Sequence, residues 1–262
     1  MLRRRRRSPA QAGHHERLAE SYGPDQRQYG EWWVPPASFA GRRPLVVLVH
    51  GGYWRADYDL HLQDAIAADL ADRGFLVWNI DYAPSTQKWP ATLTDVAAGY
   101  DFAFNGAHRS RIDRRRVAVV GHSAGGHLAL WLASRSRLPI GAPGATAHAR
   151  PTLAVPQAPV ASLHEAAALG LGSGAVQALL GGSPTQVPAR FSVADPVSLA
   201  PSGVRTVLIH GPADDIVPIS QSTDYLAVAR DCTLEKVPGD HFAHLDPTSS
   251  AGSALRAALA TL

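Results

Sequence analysis

The chain has little cysteine and no long apolar run, and both absences narrow its class. Cys232 is the only cysteine among 262 residues, so no disulfide can form within the chain. No apolar stretch approaches the ~20 residues that cross a bilayer. The arginines near the start are not followed by the apolar run of a secretory signal. We therefore expect no membrane segment and a cytoplasmic location.

Metal and nucleotide motifs are also missing. The sequence has no His-Glu-x-x-His pair and no cysteine cluster, the patterns that point to zinc. The pair Gly51-Gly52 lacks the further glycines and the lysine of a phosphate-binding loop. We expect no metal, no cofactor and no nucleic-acid partner.

The basic charge of the chain comes from one short run. Lys and Arg number 25 against 22 Asp and Glu, and five of the arginines are residues 3–7. A terminal run of like charges is usually disordered and self-repelling. We predict that residues 1–20 form a disordered, arginine-rich extension and that residues 21–262 form a single domain. The alternative for the run is an electrostatic contact with nucleic acid or an anionic surface.

Apolar runs alternate with helical patterns along the rest of the chain. Continuous apolar, β-branched runs are typical of strands buried on both faces, and they occupy residues 45–49, 75–80, 117–120, 153–155 and 204–209. A weaker strand is predicted at 233–237, and an edge strand at 31–34, where two prolines follow. Amphipathic or apolar helices are predicted at 60–73, 91–108, 124–136, 219–230 and 250–262. This order predicts an α/β fold with a mostly parallel sheet and helices on both faces.

One stretch interrupts the alternation. Residues 161–200 are rich in Ala, Gly, Ser and Pro and contain two short helical patterns, at 163–169 and 174–180. Insertions into α/β sheets usually lie above the carboxyl ends of the strands, where ligands bind. We interpret the segment as a small lid; a plain surface excursion is the alternative.

Gly121-His122-Ser123-Ala124-Gly125 matches the pattern Gly-x-Ser-x-Gly of a nucleophile elbow. A predicted strand ends before it and a predicted helix begins at Ala124, which is the context that the elbow requires. The tight turn strains the central residue and lifts its hydroxyl above the sheet, and the glycines avoid clashes. We predict Ser123 as a nucleophile; a helix N-cap is the alternative.

A nucleophilic serine needs a base, and the base needs a partner that fixes its tautomer. In this arrangement the chain order is Ser, then Asp or Glu, then His. His241 directly follows the last predicted strand, and His244 is the alternative base. Asp214 and Asp215 both lie in the turn after strand 204–209. We favour Asp214 because it comes first in that turn.

The loop His50-Gly51-Gly52-Tyr53-Trp54 directly follows strand 45–49. Negative charge on a tetrahedral intermediate requires preorganised N–H donors, which come from such a loop and from the residue after the nucleophile. We predict the amides of Gly52, Tyr53 and Ala124 as the oxyanion hole. His50 is predicted to pin the loop by hydrogen bonding.

The segments 50–54 and 121–129 together resemble the kynurenine formamidase (arylformamidase) family of α/β-hydrolases, which carries His-Gly-Gly-x-Trp as its oxyanion signature. Residues 22–25 and 240–242 resemble further landmarks of that family, and the resemblance spans roughly residues 20–260. It implies an α/β-hydrolase fold and places the family's triad on Ser123, Asp214 and His241. It further implies hydrolysis of N-formyl-L-kynurenine to formate and L-kynurenine, a step of tryptophan catabolism.

The formyl group is small, so the resemblance implies that specificity comes from the leaving group. Tyr53, Trp54, Trp89 and Phe242 are candidates for an aromatic pocket. Arg55 or Lys88 is a candidate partner for the substrate carboxylate, with surface charge as the alternative. 

Two other functions stay open. One is a general carboxylesterase for short-chain or aryl esters, and the other is a binding protein that kept the fold and lost catalysis. The expected partner is a small-molecule aryl formamide or ester, and a homodimer is compatible with the sequence.

Overall fold

The computed structural model describes residues 15–146 and 149–262. These residues form one eight-stranded sheet. The strands are β1 (Glu16–Ser21), β2 (Tyr29–Val34), β3 (Arg43–Val49), β4 (Leu76–Ile80), β5 (Ile112–His122), β6 (Leu153–Gln157), β7 (Arg205–His210) and β8 (Cys232–Lys236). Their order across the sheet is β1-β2-β4-β3-β5-β6-β7-β8. β2 pairs antiparallel with both β1 and β4, and every other pair is parallel.

Helices cover both faces of the sheet. They are α1 (Asp64–Asp72), α2 (Ala91–Phe102), α3 (Ala124–Ala133), α4 (Leu163–Ala168), α5 (Ala175–Leu180), α6 (Pro188–Ala194), α7 (Pro196–Leu199), α8 (Ser220–Val228) and α9 (Ser250–Leu259). Successive residues of β3 point to opposite faces. Val47 belongs to the core under α2 and α3, whereas Leu48 belongs to the core under α1 and α9. The predicted fold class, a mostly parallel sheet with helices on both faces, is confirmed.

Strand β1 corrects two predictions. Its residues 16–20 fall in the range 1–20 that we predicted as a disordered extension, and the strand pairs with β2 from Glu16 opposite Val34 to Ser21 opposite Tyr29. β2 is therefore the second strand of the sheet and not its edge. The side chains of β1 are exposed or only partly buried, so the strand has no core pattern in the sequence. The arginine run at residues 3–7 lies outside the described residues.

Polar contacts hold β1 in place. Among the described residues, one group of side chains brings three potential metal ligands together: Glu31, His61 and Asp64, within 4.8 Å of one another. The guanidinium of Arg17 lies among them, with Nη2 2.9 Å from His61 Nδ1 and 3.0 Å from Asp64 Oδ2. Its Nε donates to Glu31 Oε2 at 2.6 Å. A cation of the chain thus already occupies this space, and we assign the group to the anchoring of β1.

The insertion at 161–200 contains four short helices, α4 to α7, where the sequence predicted two. It packs on α3, the helix that follows the predicted elbow. Trp131 Nε1 donates to Val193 O at 2.9 Å, and His127 Nε2 lies 3.0 Å from Ala194 O. Phe191 is fully buried in the same core. Its interpretation as a lid stays a prediction.

No helix in the part of the chain that the structure describes has the length and apolar character needed to cross a membrane.

Candidate active site

Ser123 occupies a sharp turn between the end of β5 and the start of α3. Its backbone has φ 57° and ψ −120°, a left-handed φ that is strained for a residue with a side chain. Its amide donates to Gln157 O at 2.8 Å, which ties the turn to the end of β6. The side chain makes no capping hydrogen bond to α3. The turn therefore has the geometry of a nucleophile elbow, and the helix-cap alternative finds no support.

The glycines around the turn allow three backbone segments to meet. A Cβ on Gly125 would lie 2.0 Å from Val49 O, and a Cβ on Gly121 would lie 2.1 Å from Gly125 O. A Cβ on Gly51 would lie 2.7 Å from His122 O. Only glycine fits such approaches, and the loop at 50–54 therefore packs directly against the elbow.

Asp214 and His241, 27 residues apart in the chain, meet through one short hydrogen bond. His241 Nδ1 lies 2.7 Å from Asp214 Oδ2, and both side chains are buried. The other carboxylate oxygen of Asp214 accepts from the amides of Ile216 and Val217 at 2.9 and 2.8 Å. Asp215 is exposed. The structure thus brings the favoured acid and the favoured base together.

The contacts of Asp214 favour its ionised form. Burial alone raises the pKa of this carboxyl, but hydrogen bonds from His210, His241 and the amide of Val217 outweigh it and hold the pKa well below its usual range. His210 Nε2 lies 3.4 Å from Asp214 Oδ2. Asp214 is therefore an anion that orients the ring of His241.

His241 begins a 3₁₀ turn, His241–Leu245, directly after Asp240. The side chain of Asp240 accepts from the amides of Phe242 and Ala243, both at 3.0 Å, so this carboxylate caps the turn. His244 is buried, and its Nδ1 has no hydrogen-bond partner among the described residues. The position of the acid therefore favours His241 over His244 as the base.

The loop after β3 has an unusual backbone. Gly52, Tyr53 and Trp54 all have left-handed φ angles, of 105°, 51° and 55°. Within the described residues, the amides of Gly52, Tyr53 and Ala124 donate to no acceptor. Unused amides beside a nucleophile elbow are suited to binding an oxyanion.

His50 holds this loop from behind. Its Nδ1 lies 2.8 Å from Gly51 O and its Nε2 3.1 Å from Asp81 Oδ1. Its ring stacks on Tyr82 with 4.2 Å between centroids, and the Tyr82 hydroxyl donates to His50 O at 2.8 Å. The geometry agrees with the predicted pinning of the loop.

A cavity of about 110 Å³ opens above the elbow. Its lining residues are Gly52, Tyr53, Tyr58, Leu62, His122, Ser123, Ile216, His241, Phe242 and Leu245. Ser123, His241 and the loop at 50–54 therefore share one cavity with mainly apolar walls. A larger open groove between β8 and α9, of about 470 Å³, contains none of the predicted site residues.

Two of the four predicted pocket aromatics lie elsewhere. Trp54 is fully buried, with its ring perpendicular to that of His127 at 5.2 Å. Trp89 packs against the core, with the Arg190 guanidinium 5.9 Å from its ring, and does not line the described cavity. Tyr53 and Phe242 do line it. The presence of an aromatic residue in the sequence does not show whether its side chain lines the cavity or packs in the core.

Arg55 and Lys88, the two predicted partners for a substrate carboxylate, lie in different surroundings. Arg55 Nη2 donates to Gly172 O, and a Cβ on Gly172 would strike the ring of Tyr53. Arg55 therefore links the loop at 50–54 to the insertion. Lys88 is exposed and does not line the cavity within the described residues.

Sequence reasoning missed His122 and four apolar wall residues, of which Ile216 lies in the turn of Asp214. His122 Nε2 lies 2.8 Å from His241 O. Its place beside Ser123 in the elbow was the available signal. Tyr58, Leu62 and Leu245 lie in segments with no motif, and only the folded chain brings them to the cavity.

Comparison with known proteins places these features in a family. Residues 34–227 match BD-FAE. Esterase LipQ of Mycobacterium tuberculosis (strain ATCC 25618 / H37Rv) is 26% identical over 252 residues, which cover 88% of this chain and 59% of LipQ. Esterase LipC of the same strain is 31% identical over 108 residues, which cover 41% of this chain and 27% of LipC. The chain thus spans less than two thirds of the length of these curated relatives.

A solved structure described as a truncated form of a carbohydrate esterase from gut microbiota superposes with a TM-score of 0.79 at 20% identity. The match covers 97% of this chain and 98% of that chain, and it confirms the predicted α/β-hydrolase fold. The resemblance to kynurenine formamidases is not supported by these matches. The family match covers most of the sequence, and this chain therefore belongs to the BD-FAE family.

Proposed function

We propose that this chain is a serine carboxylesterase that hydrolyses esters with short acyl groups. One observation carries the proposal: a strained elbow serine, Ser123, shares a cavity with His241, and His241 Nδ1 is bonded to Asp214 at 2.7 Å. In this arrangement Ser123 is the nucleophile, His241 the general base and acid, and Asp214 the residue that orients the imidazole.

The reaction proceeds in two halves. His241 takes the Ser123 hydroxyl proton as the oxygen attacks the ester carbonyl carbon, and the amides of Gly52, Tyr53 and Ala124 stabilise the resulting oxyanion. His241 then protonates the departing alcohol, which leaves an acyl-enzyme. A water molecule gives its proton to His241 and attacks the acyl carbon, and the collapse of this second intermediate returns the proton to Ser123 and releases the acid.

Asp214 supports both halves without moving a proton. Each half transiently creates an imidazolium on His241. The low pKa of Asp214 keeps it ionised throughout, so its negative charge faces that cation at hydrogen-bond distance.

The size of the cavity favours a short acyl group. An apolar cavity of about 150 Å³ holds one benzene molecule, and the cavity above Ser123 measures about 110 Å³. An acetyl or butyryl group has fewer heavy atoms than benzene and suits this space. Leu62, Ile216 and Leu245 make its wall apolar.

The formamidase hypothesis loses part of its basis. The resemblance implied an aromatic pocket for the leaving group; of its four candidates Tyr53 and Phe242 line the described cavity, whereas Trp54 and Trp89 do not. The relatives named above are esterases. The binding-protein alternative required the loss of a catalytic side chain, and Ser123, Asp214 and His241 are all present.

The nucleophile is tested with Ser123→Ala. This variant is expected to lose turnover of p-nitrophenyl acetate by at least ~10³-fold in kcat/KM and to keep the thermal midpoint of the wild type. The wild-type enzyme is also expected to be labelled covalently at Ser123 by a fluorophosphonate, as mass spectrometry of the peptide would record. Wild-type turnover in the alanine variant would refute the proposal.

The substrate class is tested by comparing kcat/KM across p-nitrophenyl esters from acetate to decanoate and on N-formyl-L-kynurenine. We expect the maximum at two to four carbons, set by the ~110 Å³ cavity. A higher value on the formamide than on any ester would favour the formamidase hypothesis instead.

A further inference from the structure

His122 lies at the junction of three parts of the site. Its ring centroid is 4.5 Å from that of His241 and 5.8 Å from that of His244. A Cβ on Gly51 would lie 2.7 Å from His122 O, so the backbone of His122 touches the oxyanion loop. Its peptide bond leads directly to Ser123.

The side chain of His122 makes a directed hydrogen bond. His122 Nε2 lies 2.8 Å from His241 O, and both groups are buried. A carbonyl oxygen can only accept, so the hydrogen is on Nε2. Burial, followed by the neighbouring His241 and His244, lowers the pKa of His122 well below its usual value, against the opposing effect of the Asp214 charge. The ring is therefore neutral beside His241.

We propose that His122 is a positioning residue that holds the main chain of His241, while Asp214 holds its side chain. This inference rests on the proposed function and adds to it how base and nucleophile keep their relative position. His241 is restrained at two points, the carbonyl oxygen at 2.8 Å from His122 and Nδ1 at 2.7 Å from Asp214. Fixing both ends of a residue limits the directions that its free Nε2 can take.

The hydrogen bond from His122 to the carbonyl of His241 stabilises the turn that carries His241. His241 lies in a five-residue 3₁₀ turn, and short turns of this kind have poor hydrogen-bond geometry of their own. The bond from His122 ties this turn to the residue next to Ser123. His241 is then connected to Ser123 through its hydrogen bond with the His122 side chain and through the peptide bond between His122 and Ser123. A shift of either segment carries the other with it, so their distance is kept through the catalytic cycle.

Two substitutions separate the hydrogen bond from simple space filling. His122→Gln keeps an N–H donor at a similar reach, and His122→Met has a similar length and no donor. His244→Met is the matched control, because His244 is a buried histidine of the same cluster whose Nδ1 has no partner among the described residues. Thermal midpoints of all three variants report on overall folding.

On p-nitrophenyl acetate we expect His122→Met to lower kcat about 10- to 100-fold with KM within about twofold, since misplacement by 1 Å costs up to ~10²-fold. We expect His122→Gln to keep kcat within about threefold of the wild type, and His244→Met to do the same. Equal losses in the Gln and Met variants, or wild-type kcat in His122→Met, would overturn the inference.

A second measurement does not depend on ester hydrolysis. The Nδ1 proton between His241 and Asp214 is expected to give a resolved, slowly exchanging proton NMR signal in the wild type and in His122→Gln. The signal should be lost to exchange in His122→Met, because the ring is then restrained at one end only. A wild type that has this signal but no esterase activity would refute the proposed function and leave the positioning role intact. An unchanged signal in His122→Met would refute the positioning role.

Discussion

Asp214 is a buried carboxylate whose hydrogen bonds all favour the anion. One of its oxygens accepts two main-chain amides and the other faces two imidazole rings. These bonds lower the pKa far enough to overcome the opposing effect of burial. A neutral group of the same shape would lose the charge and would also present an N–H to Nδ1 of His241.

Asp214→Asn is therefore expected to reduce kcat about 10³- to 10⁴-fold, because the amide favours the wrong tautomer of His241. Asp215→Asn is the matched control, since Asp215 neighbours it in the chain and is exposed. It should keep kcat within about twofold. Steady-state kinetics on p-nitrophenyl acetate measure both variants, and a larger loss in Asp215→Asn would contradict the assignment of the acid.

Single residues of the site were predictable where local backbone geometry determines them. The strained turn at Ser123 needs glycines on both sides, and chain order narrowed the acid and the base to a few candidates. The function of a large aromatic residue was not predictable in this way. Trp54 is part of the loop at 50–54, yet it is fully buried, because packing against residues distant in the chain decides which side chains face the cavity.

At the scale of secondary structure, the ends of β3 and β5 meet the start of α3 at very short distances. A Cβ on Gly125 would approach the main-chain oxygen of Val49 to 2.0 Å, and main-chain atoms of a central strand cannot move aside cheaply. The elbow and the loop at 50–54 can therefore pack this closely only because Gly125 has no Cβ.

Gly125→Ala is expected to lower the free energy of unfolding by at least ~3 kcal/mol through this clash. Gly141→Ala is the control, because Gly141 has φ 86° and nothing within 4 Å of the added Cβ. Its expected cost is about 1 kcal/mol, from the backbone conformation alone. Urea unfolding of both variants measures the difference. Equal costs would show that the close approach is easily relieved.

The central strands and long helices were predictable because burial on both faces of a sheet leaves continuous apolar runs. β1 and the short helices α6 and α7 were not. β1 is held by a backbone ladder and by the ion pairs of Arg17, neither of which leaves an apolar period in the sequence. α6 and α7 each begin at a proline and are too short for a period of 3.6 residues to show.

At the scale of the whole molecule, several histidines are buried in the folded chain. Burial lowers the pKa of His127 and of His244 to about 4 each, from about 6.5 in an unfolded chain. Between these values the unfolded state binds more protons than the folded state. Stability therefore rises with pH in this window and is lost as the pH falls from about 6.5 to about 4.

The free energy of unfolding is accordingly expected to fall between pH 6.5 and pH 4 by as much as ~1.4 kcal/mol per pH unit for each such histidine. Asp214 adds a further loss only at lower pH, since its folded pKa is depressed below its unfolded value of ~3.9. His244→Met removes one of these groups, so the slope of the unfolding free energy against pH should fall by up to ~1.4 kcal/mol per pH unit. Urea unfolding at half-unit pH steps gives the slope, and a flat profile from pH 7 to pH 5 would contradict the expectation.

The outermost strand has a consequence for solubility. β1 covers the hydrogen-bonding edge of β2, a strand that carries the buried pair Trp32 and Trp33. Uncovered, that edge would be an aromatic, β-rich template onto which another chain could add a strand. β1 instead presents the exposed, charged side chain of Glu16 on the outer strand, and a charge on an edge strand discourages such addition. Proteolytic removal of residues 15–21 would therefore leave that edge of β2 open to strand addition from another chain, even with Ser123, Asp214 and His241 in place.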